Sequence, residues 1–117
     1  MSDMRAYQLI EFGEPVAERR QPIPEPRGTE VLIRIAGAGV CHSDLHICDG
    51  YYDLGHGKKL SFKERGFKLP MTLGHESAGV VEKVGPDAEG VVPGQSVLTT
   101  AWVGCGDCEM CRTGEEQ

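Results

Sequence analysis

The stretch Val31-Leu32-Ile33-Arg34-Ile35-Ala36-Gly37-Ala38-Gly39-Val40-Cys41-His42-Ser43-Asp44-Leu45-His46 decides the fold. Val31 to Ala36 is the best strand in the sequence, mostly apolar and rich in β-branched side chains. Gly37-Ala38-Gly39 ends it or bends it. Ser43 to Asp49 then reads as a short helix with Gly50 at its C-terminal exit. Cys41, Leu45 and Cys48 fall at i, i+4 and i+7, and so on one face of that helix.

Working outward, Met4 to Ile10 reads as a first strand. Gly13-Glu14-Pro15 makes a turn, and Val16 to Arg19 returns as a short second strand. The alternate prolines of Gln21-Pro22-Ile23-Pro24-Glu25-Pro26 lack N–H donors and hold an extended connector or edge. Tyr51 to Leu69 has mixed polarity and no clear period. Within it Lys58, Lys59, Lys63, Arg65 and Lys68 read as a solvated basic loop rather than an anion site. Ala78 to Val84 is a further strand, closed by Gly85-Pro86-Asp87. Pro93-Gly94 turns the chain into a last strand, Ser96 to Thr100. Five or six strands and one short helix predict a mainly β fold, a small and partly open barrel.

Composition agrees. The 117 residues suffice for one domain, and 16 glycines with 7 prolines favour turns over helices. Twelve basic against eighteen acidic side chains leave a net charge of −6. That acidity argues against nucleic-acid binding, which needs basic surface to neutralise phosphates. No apolar run approaches the roughly 18 residues of a membrane span. Met1-Ser2-Asp3-Met4-Arg5 has no apolar segment behind it, so neither membrane nor secretion is expected, and a cytoplasmic location is.

Five cysteines, an odd number, do not suit a disulfide framework. Three stand as Cys105-x-x-Cys108-x-x-Cys111, preceded by Gly104 and interleaved with Gly106. Thiolates at this spacing can wrap one tetrahedral ion, because the glycines let the backbone turn tightly. An iron–sulfur run would carry a fourth cysteine where Glu115 stands, so zinc is preferred, one ligand short. Cys41-His42-Ser43-Asp44-Leu45-His46 crowds a thiol, two imidazoles, a hydroxyl and a carboxylate together, the donor mix of an open catalytic metal site. His42 and His46 at i, i+4 could instead be a ligand pair, though the glutamate of a His-Glu-x-x-His motif is missing. A capped helix with surface histidines is the plain alternative. Gly74-His75-Glu76-Ser77-Ala78-Gly79 supplies a further imidazole, unless His75 is a hydrogen-bonded core residue.

Together these three segments resemble the zinc-dependent alcohol dehydrogenases of the medium-chain dehydrogenase/reductase superfamily. The Gly-His-Glu-x-x-Gly motif is Gly74 to Gly79, followed by small residues at Gly85 and Ala88. The structural-zinc loop matches over Trp102 to Cys111. The resemblance implies a GroES-like barrel and a parent enzyme that moves hydride between an alcohol and NAD or NADP, with zinc as Lewis acid. Cys41 and His75 would be ligands of the catalytic zinc, within roughly 3–4 Å of each other given bonds of about 2.0–2.3 Å. Glu76 would be an exchangeable or supporting ligand, and Asp44 would hold a zinc-bound group in place. Ser43 would hydrogen-bond the substrate hydroxyl and start a proton relay that His46 ends. His42 would lie near the cofactor pyrophosphate. Cys105, Cys108 and Cys111 would hold the structural zinc.

The match departs in places. A fourth structural cysteine would fall just past Gln117, and no Gly-x-Gly-x-x-Gly is present. The usual Gly-Asp-Arg-Val is Gly94-Gln95-Ser96-Val97. Residues 1–117 are therefore expected to be one catalytic domain, cut within the structural-zinc loop, with the nucleotide-binding domain absent. Alone it should be inactive; the parent, a homo-oligomer, should take small alcohols, aldehydes or ketones. The rival expectation is a noncatalytic zinc-stabilised GroES-like module. It explains the cysteine loop but gives no reason for Cys41, His46, His75 and Glu76 to occur together.

Overall fold

A computed structural model describes residues 2–115. The elements run β1 (Asp3–Leu9), β2 (Ala17–Pro22), β3 (Val31–Gly39), α1 (His42–Asp49), β4 (Tyr51–Gly55), β5 (Lys58–Ser61), β6 (Met71–Thr72), β7 (Glu76–Val84), β8 (Ser96–Leu98) and α2 (Glu109–Thr113). Three antiparallel sheets result, in the orders β2-β1-β6, β3-β7-β8 and β4-β5. The arrangement is mainly β and open, as the pattern of short strands and turns predicts.

The β3–β7 pair is the longest ladder and carries the site. Val31 pairs with Val84 at one end and Gly39 with Glu76 at the other. The register shifts between Ile35 and Gly37, so the glycine-rich segment bends the strand and does not end it. At the Val84 end the chain doubles back, and the Gly85 N–H donates to the Glu30 carbonyl at 2.8 Å. A Cβ on Gly85 would strike the Gly28 carbonyl, which is why this position takes a residue without a side chain.

Two expectations need correction. The first is the single helix: α2 is a second, five-residue helix inside the cysteine loop, entered at Cys108 and closed by left-handed Gly114. The second is the unpatterned segment after Tyr51, where β4 and β5 form a hairpin. Its turn is His56-Gly57, both at positive φ (51° and 74°), as two-residue hairpin loops require. Boundaries also move. The second strand reaches Pro22, β7 starts at Glu76, and the last strand ends at Leu98.

The core is small. Leu9 and Val81 are fully buried, with Ala6 and Phe62 close behind. Phe62 donates its N–H to the Gly50 carbonyl and packs between Tyr52 and Phe67, so the hairpin is pinned to the end of α1. The radius of gyration, 16.7 Å, exceeds the roughly 13 Å of a compact domain this long. Among the described residues no helix is long and apolar enough to cross a membrane.

Candidate metal centres

Where β3 gives way to α1, the chain delivers Cys41 as the residue capping the helix N-terminus. The facing end of β7 delivers His75 and Glu76. The Cys41 sulfur, a His75 nitrogen and a Glu76 carboxylate oxygen all lie within 4.8 Å of one another. The fold thus brings Cys41 and His75, 34 residues apart in sequence, within 4.8 Å of each other.

Asp44 organises this cluster. It is the one buried residue of α1. One carboxylate oxygen accepts from the Cys41 N–H at 3.1 Å, the other from the Gly74 N–H at 3.2 Å. The second oxygen also lies 3.4 Å from Nδ1 of His75. One buried carboxylate thus ties the residue bearing the thiol to the loop bearing the imidazole. With Nδ1 turned to Asp44, Nε2 is the ring atom left to face a metal.

The electrostatics favour the thiolate form of the Cys41 donor. The backbone N–H and hydroxyl of Ser43, followed by His75, hold the Cys41 thiol below its ordinary pKa. The hydrogen bond to Cys41, then the charge of Asp44, hold the His75 imidazole above its own. A thiolate is the form a metal takes, and it is the form this setting favours.

His42 and His46 stack on each other, ring centroids 4.5 Å apart, and Tyr52 meets His46 edge-on at 4.8 Å. The two histidines are thus neighbours of one another and of the hairpin, while the imidazole in the Cys41 cluster is His75. A groove beside His75 and Glu76 is lined by Ser77, Leu98, Thr99 and Ala101. Of these, Ser77 belongs to the Gly74–Gly79 motif, whereas Tyr52, Leu98, Thr99 and Ala101 carry no signal of a site in the sequence. No local pattern marks them, since only the fold brings β4 and β8 to the site.

The second cluster is local. Cys105, Cys108 and Cys111 present their sulfurs together. Cys105 and Cys111 are 3.8 Å apart and Cys108 and Cys111 are 3.5 Å apart. A tetrahedron with Zn–S bonds of about 2.3 Å has edges of about 3.8 Å, so the loop fits such an ion. The Cys108 N–H donates to the Cys105 sulfur at 3.3 Å. Backbone N–H groups of Asp107 and Cys108, then the neighbouring thiols, bring the Cys105 pKa down to about 7.

The remaining thiol behaves oppositely. Burial, then the charges of Asp49 and Asp44, push Cys48 above its ordinary value. It is not part of either cluster.

Residues 27–117 match the family described as the alcohol dehydrogenase GroES-like domain. The chain is 46% identical to an NAD-dependent alcohol dehydrogenase of Sulfurisphaera tokodaii, over 97% of this chain and 31% of that protein. It is 41% identical to the D-arabinose 1-dehydrogenase (NADP(+)) of Saccharolobus solfataricus, over 98% of this chain and 30% of that one. The fold superposes on a solved alcohol dehydrogenase zinc-binding domain protein from Burkholderia ambifaria with a TM-score of 0.77. The identity there is 35%, covering 96% of this chain and 26% of that one. The chain thus spans less than a third of the length of these relatives.

Proposed function

Since the chain belongs to the alcohol dehydrogenase GroES-like domain family, we propose that it forms the metal-bearing catalytic domain of a larger NAD(P)-linked enzyme that moves hydride between a small alcohol and its aldehyde or ketone. The observation that carries this reading is the convergence of Cys41, His75 and Glu76 at one end of the β3–β7 ladder. A purely structural zinc module has no use for that second set of donors. Zinc is the ion we assign to both clusters, because mixed thiolate, imidazole and carboxylate donors and an all-thiolate set both suit it. Bound beside Cys41 and His75, it supplies Lewis acidity that brings a hydroxyl's pKa toward neutrality.

The chain's own residues do the rest. Asp44 fixes the approach of Cys41 and His75 through its bonds to the Cys41 and Gly74 N–H groups. Ser43, in the first turn of α1 two residues after Cys41, hydrogen-bonds the substrate hydroxyl and relays its proton, accepting it as its own hydroxyl proton is passed on. His46, half-buried between His42 and Tyr52, passes the proton to solvent. His42, exposed at the first turn of α1, meets the cofactor pyrophosphate. The main surface for NAD or NADP is assigned to polypeptide outside these 117 residues, a reading supported by the relatives' length. A homo-oligomeric assembly and a cytoplasmic location go with it.

The test is alcohol-dependent formation of NADH or NADPH by the full-length protein that carries this stretch. Cys41→Ala should bring turnover to background. His46→Ala should slow it by about 10²-fold, the lower end for a general acid–base step, because water can replace the end of a relay. The 117 residues alone should oxidise no alcohol. Full turnover by Cys41→Ala would overturn the assignment.

A further inference from the structure

Gly39 pairs directly with Glu76 at the end of the β3–β7 ladder. Residues so opposed point their side chains to the same face, Cβ atoms about 4.5–5.5 Å apart. Glu76 uses that closeness. Its side chain lies across the strand into the space a residue at 39 would fill. A Cβ built on Gly39 would strike the Glu76 carboxylate at Oε2 and stand 3.0 Å from its Cβ and 3.3 Å from its Cδ. No other group lies among the three nearest atoms.

The usual reason for a glycine does not apply here. The φ of Gly39 lies outside the left-handed region, unlike that of eleven other glycines in the chain. Backbone conformation therefore admits any residue at this position, and the restriction is one of space. Two residues further on, the same strand end delivers Cys41. The carboxylate that fills the space at Gly39 belongs to the same Glu76 that offers an oxygen within 4.8 Å of the Cys41 sulfur and a His75 nitrogen.

We propose that Gly39 is a positioning residue for the metal centre: its missing side chain admits the Glu76 carboxylate to the cluster, and any side chain there displaces it. The inference rests on the reading of Cys41, His75 and Glu76 as metal donors, and it adds the element that sets the third donor's reach. Glycine at 39 and glutamate at 76 work as one unit.

The experiment is a double-mutant cycle on the 117-residue chain, read by metal affinity and absorption without any turnover. Cobalt(II) is titrated against a chromophoric chelator in a Cys108→Ser background, which removes an exposed thiol of the other cluster. Four proteins are compared: the background, Gly39→Ala, Glu76→Ala and the double variant. Cys41→Ser in the same background identifies the signal of this centre. Gly39→Ala and Glu76→Ala should each weaken cobalt binding by about 10-fold, at the low end for groups that tune a metal site. They should shift the visible cobalt bands alike. In the Glu76→Ala background, Gly39→Ala should cost far less than on its own, because the carboxylate is gone and only the Cβ of residue 76, 3.0 Å away, is left to give way.

Unchanged affinity in Gly39→Ala, or a second equal loss in the double variant, would overturn the proposal. Should Gly39→Ala fail to fold, Gly39→Ala combined with Glu76→Gly decides, because it also removes the Cβ that would stand 3.0 Å away: recovery of the native circular dichroism supports the clash with Glu76, and continued failure refutes it. Cobalt uptake insensitive to Cys41→Ser would sink the donor reading itself, a result distinct from a silent Gly39.

Discussion

The two metal clusters are built in opposite ways. The Cys105 loop is local: three sulfurs come from seven consecutive residues, and the backbone that links them also donates to the Cys105 sulfur. It is largely exposed and adds nothing to the core. The Cys41 centre is assembled from two strand ends and a helix start. A buried carboxylate crosses 30 residues of sequence to hold it. A local cluster can be pre-shaped by its own turn, while a distributed one is only as good as the fold that carries it.

Asp44 offers the sharpest way to break that contrast. Asp44→Ala leaves the Cys41 and Gly74 N–H groups without their charged acceptor. Hydrogen bonds to charged groups are worth about 1.5–3 kcal/mol each, so a loss of about 3 kcal/mol is expected. Urea denaturation of the metal-free chain measures it, and Asp44→Asn should recover part because one oxygen still accepts. A loss under about 1 kcal/mol would mean that the centre is held together without this carboxylate.

A smaller effect separates the thiols. With its pKa lowered to about 7, metal-free Cys105 is largely thiolate just above neutrality. Its alkylation by iodoacetamide should rise with pH and reach half its plateau near pH 7. The raised pKa of Cys48 keeps that thiol protonated over the same range. At pH 7.5 Cys105 should react about 10-fold faster or more. The sign for stability follows. A depressed pKa stabilises the loop most above the ordinary thiol range, and that contribution fades as pH falls through about 7. Equal labelling of the two sites would remove this distinction. The smallest effect is Asp107→Ala. It loses an ion pair to Arg112 at 2.8 Å, but both side chains are exposed, so the melting temperature should not move measurably.

The same contrast decides what could be read from the sequence. The cysteine loop was legible because its donors recur at a spacing of three and glycines sit between them. β3 was legible because Val31 to Ala36 is a continuous β-forming run. The β4–β5 hairpin was not. Its strands are short and of mixed polarity, and the His56-Gly57 turn lacks the Asn-Gly or Asp-Gly pair that usually marks one. The two residues of β6 are a strand only because they pair with Gln8 and Leu9. The helix α2 is too short to show a period and exists by virtue of its ends. At the Cys41 centre each donor could be named, by resemblance to a family. The link through Asp44 to the Gly74 N–H, and the space that Gly39 leaves for Glu76, depend on cross-strand register, which no local pattern encodes.

Counting metal per chain tests most directly the claim that two separately built centres exist. Native mass spectrometry of the zinc-loaded chain should give two ions. Cys41→Ser should lose one and keep the other. Cys108→Ser should do the reverse, and the double variant should hold none. A single ion, lost with Cys108→Ser and indifferent to Cys41→Ser, would contradict the claim and leave a chain with only a structural zinc.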